Sequence, residues 1–279
     1  MATENKNTGK KKWRVSGRKI FRISLRAFFI IAFLVSAGMV RSRQKDVTCS
    51  SVNISVDESE GNFFVEQNDI MNMIHDKWGT LIGKPVVGIN MNLLETLIGN
   101  NPYILRAEVF STIDGGIKID VRQREPVLRI INKENQSFYI DKNGMYMPLS
   151  DKHTAYVPVA SGNIPDQYVS GSVKKNTNQN IDSTLNKSLT EQLYELATFI
   201  RKDELWNAQI VQVYVNNDGD IELIPRVGNQ RIIFGNTEHM QEKFDKLLLF
   251  YRKGLSGAGW NAYNTINLKY TDQVVCTKN

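Results

Sequence analysis

Two cysteines and three histidines among 279 residues leave little material for metal or thiol chemistry. Cys49 and Cys276 stand near opposite ends of the polar body and show none of the Cys/His spacing of a zinc site. A disulfide would require those ends to meet, so two free thiols are the expectation. His75, His153 and His239 share no spacing. His239-Met240-Gln241-Glu242 is an H-x-x-E fragment without the second histidine of a metalloprotease helix. Glycine-rich phosphate loops are absent. Ser172-Val173-Lys174-Lys175 spells S-x-x-K, but in a polar loop rather than at a helix start, and neither S-D-N nor K-T-G follows. Gly254-Leu255-Ser256-Gly257-Ala258 misses a nucleophile elbow by one position and reads as the stop of a helix. No catalytic residue, no metal and no cofactor is expected.

Long apolar runs are equally scarce. Residues 20–40 (IFRISLRAFFIIAFLVSAGMV) form the one such stretch, uncharged from 27 to 40. A membrane-crossing helix needs roughly 20 mainly apolar residues. That length here includes Arg22 and Arg26, four apart on one helical face, whose side chains would snorkel to the headgroups. Val35-Ser36-Ala37 resembles a cleavage site, so a secretory signal is the alternative. The basic head is long for such a signal, and a retained anchor is the favoured reading. Either way the body is exported. Lys6, Lys10, Lys11, Lys12, Arg14, Arg18 and Lys19 precede the run, while Arg41, Arg43 and Lys45 follow it. The positive-inside rule then places the N-terminus in the cytoplasm and residues 46–279 outside.

Charge separates the same way. Residues 1–45 hold twelve Lys and Arg against one acid, Glu4, a net +11, so with +6 overall the body carries −5. No nucleic-acid partner is expected; the basic head is a topology signal facing inner-membrane lipid.

Residues 1–19 lack apolar periodicity and read as a disordered tail. Val52-Asn53-Ile54-Ser55-Val56 alternates like a half-buried strand. A helix is predicted over 69–78, with Asn68 as cap and Gly79 as stop, and a second from Asn90 to Gly99. Strands over 104–110 and 117–121 flank the turn Asp114-Gly115-Gly116. This strand-helix-helix-strand-strand order makes an α+β module, closed at Arg124-Glu125-Pro126 because proline cannot extend a central ladder. Strands follow over 127–132, 137–140 and 145–149, and residues 161–186 read as an exposed polar loop. Ser188-Leu189-Thr190-Glu191 is a capping box opening a helix with Leu193, Leu196, Ala197 and Ile200 on one face. A hairpin over 210–224, a strand over 230–234, a helix from Met240 to Gly254, and strands over 264–269 and 273–276 complete the chain.

The plan resembles the FtsQ/DivIB family of bitopic cell-division proteins. Asn101-Pro102-Tyr103 and Val121-Arg122-Gln123-Arg124-Glu125-Pro126 are similar to the ending of their POTRA module. Tyr139-Ile140-Asp141-Lys142-Asn143-Gly144, Val157-Pro158-Val159-Ala160-Ser161-Gly162, Ile224-Pro225-Arg226-Val227-Gly228 and the tail from Thr265 to Val275 resemble the family's β domain, in a Bacteroidota-like form. The resemblance implies an α+β chain: cytoplasmic tail 1–19, transmembrane helix 20–40, POTRA-like domain 46–124, and a larger mixed β domain 125–279 with two helices. It also implies a non-enzymatic divisome scaffold. Its expected partners are FtsB (DivIC)-like and FtsL-like proteins, and through them the FtsW–FtsI septal synthase. FtsB would add a strand at the edge formed by Lys269, Tyr270, Thr271, Asp272, Gln273, Val274 and Val275, with Tyr270 as anchor. Strand parity leaves a second possibility, that Tyr270 packs inward beside Ile266 and Leu268. Two other functional readings stand beside the scaffold. One is a POTRA-bearing assembly or translocation factor; the other is an anchored peptidoglycan enzyme.

Overall fold

The computed structural model describes residues 26, 28–35, 47–59, 61–168 and 188–278. The expected tail 1–19, most of the expected anchor, and Ser172-Val173-Lys174-Lys175 lie outside these. Residues 26 and 28–35 are helical and exposed, and among the described residues no helix is long and apolar enough to cross a membrane.

A three-stranded sheet comes first, in the order β1-β3-β2: β1 (Ser51–Asp57), β2 (Ile104–Ser111) and β3 (Gly116–Gln123). Between β1 and β2 the chain forms α1 (Gln67–Trp78) and α2 (Met91–Gly99). Helical spacing puts Ile70, Ile74, Leu94 and Ile98 inward, and strand alternation does the same for Ile119 and Val121. Helix α1 begins two residues before the predicted start. Glu66, not Asn68, precedes it, because the Asp69 carboxylate accepts the Glu66 N–H at 2.9 Å and satisfies the helix entrance. Gly79 ends it at φ 67°, as expected.

A nine-stranded mixed sheet follows, ordered β12-β11-β10-β9-β8-β7-β4-β5-β6. Its strands are β4 (Pro126–Ile131), β5 (Ser137–Asp141), β6 (Tyr146–Pro148), β7 (Val159–Gly162), β8 (Ile210–Val215), β9 (Ile221–Pro225), β10 (Arg231–Gly235), β11 (Tyr263–Asn267) and β12 (Val275–Lys278). Pro126 opens β4 rather than closing the module before it. It stands at a strand's first position beside a register shift, where a missing N–H costs little. Strand β7 pairs in parallel with both β4 and β8, and four residues are too few to show a period.

Helix α3 (Leu189–Lys202) starts on the predicted capping box: Ser188 Oγ accepts the Glu191 N–H at 3.2 Å, and Glu191 Oε2 accepts the Ser188 N–H at 2.9 Å. Its Leu193, Leu196, Ala197 and Ile200 share a core with Phe244 and Leu247 of α5 (Met240–Phe250). Between them lies α4 (Glu204–Gln209), and a short helix follows at Ser256–Ala258, so among the described residues the β domain has four α-helices where two are expected. Asp203 ends α3 and caps α4 by accepting the Trp206 N–H, which buries the indole. The expected stop at Gly254 is overturned as well. A π-helical turn, Tyr251–Leu255, and a short helix, Ser256–Ala258, carry the chain to Gly259 at φ 90°. Continuing keeps Leu255 buried, and glycine at 254 avoids a Cβ that would lie 2.7 Å from the Phe250 ring.

Contacts divide the described chain into two units. Thr80–Asn90 and Ser111–Ile117 cluster with the segment ending at Val52; Asn53–Gly79, Met91–Phe110 and Lys118–Asn279 cluster together. In the second, the Gln123 side chain serves four backbone groups. Its Oε1 accepts the Phe64 and Val65 N–H groups (2.8 and 3.0 Å), and its Nε2 donates to Asn62 O and Asp57 O (2.8 and 3.3 Å). Both cysteines are free, and burial raises both thiol pKa values.

Candidate functional site: the C-terminal edge of the large sheet

Ile266 and Leu268 are wholly buried, and Asn267 between them faces outward, so β11 is a half-buried strand by its own alternation. It pairs in parallel with β10, through Arg231↔Thr265 and Ile232↔Ile266, and antiparallel with β12, through Ile266↔Cys276 and Asn267↔Val275. Parallel pairing needs a long crossover, here α5 and the turns after it. Phe244 of that crossover packs with Phe199 (4.9 Å), Trp206 (4.9 Å) and Phe234 (5.2 Å). A rigid aromatic layer thus backs the sheet's end.

After Asn267 the chain leaves the ladder. Asn267 Oδ1 accepts the Lys269 N–H at 3.0 Å, an Asx turn that stops β11. Lys269 Nζ reaches Asp220 Oδ2 at 2.6 Å, and this hydrogen bond raises the lysine pKa. From α5, Lys246 Nζ donates to Tyr270 O (2.6 Å) and Thr271 O (3.1 Å). Lys243 lies under the same segment. Its buried ammonium donates to Asn236 O (2.8 Å) and Asn236 Oδ1 (3.1 Å) and stands 4.9 Å above the Phe234 ring; burial pushes its pKa down. Asp220, Asn236, Lys243, Lys246 and residues 269–271 line a polar groove of about 340 Å³.

The seven predicted residues therefore separate. Lys269, Tyr270 and Thr271 line the groove, Asp272 and Gln273 are exposed in the connection, and Val274 packs on the core. Val275, 42 % exposed, belongs to a strand. The strand expected over 273–276 runs instead from Val275 to Lys278, because the Asx turn and Lys246 hold 269–271 out of the ladder. Tyr270 is 50 % exposed, so the inward-packing reading does not hold; the turn breaks the parity it assumed. Sequence reasoning missed Cys276, Thr277 and Lys278 as edge residues, although Val274 and Cys276 inward against Val275 and Thr277 outward is a period-2 signal.

The sheet's two ends differ. At the far end β6 has three residues and finishes on Pro148, a blunted edge. Strand β12 has no proline, and among the described residues nothing pairs with its outer side. Its outward N–H and C=O groups are a template for one more strand. Elsewhere, no cluster of described residues could hold a metal ion. His239 stands at φ 51° just before α5, with Nδ1 3.5 Å from Glu242 Oε1, and His153 packs on Phe63 and Phe64.

Two family models match successive parts of the chain. The family described as FtsQ/DivIB, C-terminal related, matches residues 125–277, and the POTRA-like domain matches residues 47–122. Cell division protein DivIB of Clostridium tetani is 28 % identical over 180 residues, 61 % of this chain and 61 % of that protein. Cell division protein FtsQ of Geotalea daltonii is 21 % identical over 207 residues, 74 % of this chain and 70 % of that protein. The alignment to the first relative thus spans less than two thirds of its length. With more than half of its residues matched by the one family and a POTRA-like domain preceding them, the chain belongs to the FtsQ/DivIB family.

Proposed function

We propose that the chain is a non-enzymatic scaffold of cell division that docks FtsB-like and FtsL-like bitopic proteins and so helps control septal peptidoglycan synthesis by the FtsW–FtsI pair. The observation that carries this is β12, the proline-free end strand of the nine-stranded sheet, beside an exposed Tyr270. An extended partner segment would pair with the outer side of β12, its main chain supplying affinity and its alternate side chains specificity. Lys269, Tyr270, Thr271, Asp272, Gln273, Val274 and Val275 flank or begin that edge, and Cys276, Thr277 and Lys278 continue it. In this reading the POTRA-like domain is 46–124 and the β domain 125–279. Residues 20–40 anchor the chain in the inner membrane at the septum, with residues 1–19 cytoplasmic and the body periplasmic. The exposed apolar helical residues 28–35 support that anchor. The two relatives' names support a division role. The match of 125–277 favours it over an envelope assembly factor, a reading that fractionation with the outer membrane would revive.

Tyr270→Glu tests the interface. Lys246 grips the Tyr270 carbonyl rather than its ring, so the fold should tolerate the change. Loss of a central aromatic anchor costs at least about 2 kcal/mol, or roughly thirtyfold in affinity. Co-purification of the full chain with FtsB-like and FtsL-like partners should fall by that factor in the variant. Undiminished recovery would move the interface elsewhere.

A further inference from the structure

Residues 47–50 are gripped from both sides. On one side, Cys49 N donates to Lys84 O (2.8 Å), Gly83 N to Cys49 O (2.8 Å) and Val86 N to Val47 O (3.0 Å). On the other, Ser50 N donates to Gly115 O (3.0 Å) and Ser50 Oγ to Asp114 O (3.3 Å). The packing against that turn is tight. Gly115 sits at φ +86°, and a Cβ there would fall on the Thr48 carbonyl oxygen and 2.9 Å from Val47 Cγ1. Two loops, 80–90 and 111–117, thus clasp the entering segment, and all three belong to one unit.

Each loop presents aliphatic side chains to solvent. Ile82 is 56 % exposed, Val87 68 % and Ile113, in the β2–β3 turn, fully exposed. Turns ordinarily carry polar residues at such places. Single exposed aliphatics are common, but three on the two loops that hold one segment make a pattern. Only six residues, seven chain steps, separate Val40, the end of the apolar run, from Val47, which at full extension is about 25 Å. The tether keeps these loops within reach of whatever surface the run enters and raises their effective concentration there.

We infer that loops 80–90 and 111–117 form a membrane-resting surface, with Ile82, Val87 and Ile113 dipping into the headgroup–acyl boundary of a lipid bilayer. This rests on the reading of residues 20–40 as a retained anchor. The loops carry one cation, Lys84, and one anion, Asp114, so the contact is apolar rather than electrostatic. Zwitterionic lipid suffices, and salt has little effect. The contact holds the two loops and the segment they clasp against the bilayer.

The test uses the full chain reconstituted into phosphatidylcholine vesicles. An environment-sensitive fluorophore is placed by Ile113→Cys in a Cys276→Ser background, with buried Cys49 left unlabelled. Flotation reports the anchor, and quenching by lipid carrying a doxyl group near the headgroup reports the loops. The expected result is flotation with strong quenching at 113, unchanged by salt. Adding Ile82→Asp and Val87→Asp should lower the docked-to-undocked ratio by at least about tenfold. Flotation with emission at 113 indifferent to doxyl lipid would overturn the inference and leave the anchor reading intact. Failure to float would overturn the anchor reading, and the inference with it.

Discussion

Gly162→Ala is expected to destabilise the body by about 3–4 kcal/mol, lowering its melting temperature by about 10 °C. Gly162 ends β7, in the interior of the large sheet, and pairs with Val215. Its φ of +104° is strained for any residue with a Cβ. That Cβ would also fall on the Val215 carbonyl oxygen and 3.0 Å from Tyr214 Cε2. The Val215 oxygen already accepts the Asn163 N–H at 2.9 Å, so relief of the clash breaks a ladder contact. Gly219→Ala is the matched control. It shares a positive φ, +85°, but has nothing within 4 Å of the new methyl group, so only backbone strain of about 1–2 kcal/mol remains. Thermal denaturation of the two variants separates packing from strain; equal losses would contradict the packing argument.

Arg124→Ala should cost about 3 kcal/mol, far more than an ordinary surface ion pair. Its partner Asp141 is buried, with Arg124 NH1 2.8 Å from Oδ2. The other carboxylate oxygen accepts the Asn143 and Met145 N–H groups at 2.8 and 2.7 Å and so shapes the β5–β6 turn. Removing the guanidinium leaves a buried charge with no cation, while those two bonds keep the loss below the upper limit for such pairs. Arg106–Glu108 provides the contrast. Its 2.7 Å contact joins side chains 72 % and 50 % exposed, where water screens the attraction, and Arg106→Ala should change stability by less than about 0.5 kcal/mol. Denaturant midpoints for the two alanine variants decide the point, and similar values would show that burial does not set the cost.

Those two positions also show what the sequence exposed and what it hid. The segment Arg122-Gln123-Arg124-Glu125-Pro126 was legible as a boundary, yet its physical content lies in distant partners. Gln123 serves four backbone groups between Asp57 and Val65, Arg124 meets Asp141, and buried Glu125 lies 3.2 Å from Lys142 and 3.6 Å from Arg201. No local pattern encodes such pairings. Elements with a clear period or cap were legible: α2, the β8–β9 hairpin, and α3 with its Ser188 box. Elements below the length of a period were not. Four residues of β7 and six of α4 owe their form to neighbours and to Asp203. Gly254 was misread because glycine ends helices as often as it packs inside them, and only the nearby Phe250 ring reveals which applies.

At the candidate edge, the parity of Ile266 and Leu268 was legible and their burial follows it. The departure at Lys269 was not, since it depends on an Asx turn from Asn267 and on Lys246 reaching from α5. The end strand consequently runs to Lys278, two residues past the expected end at Cys276.

The most direct test of the edge-docking account is amide hydrogen exchange of the full chain with and without the FtsB-like partner. The account predicts new protection concentrated in residues 275–278, with the β6 edge at 146–148 unchanged. Protection at β6, or along β1 or β2, with β12 exchanging as freely as before, would contradict it.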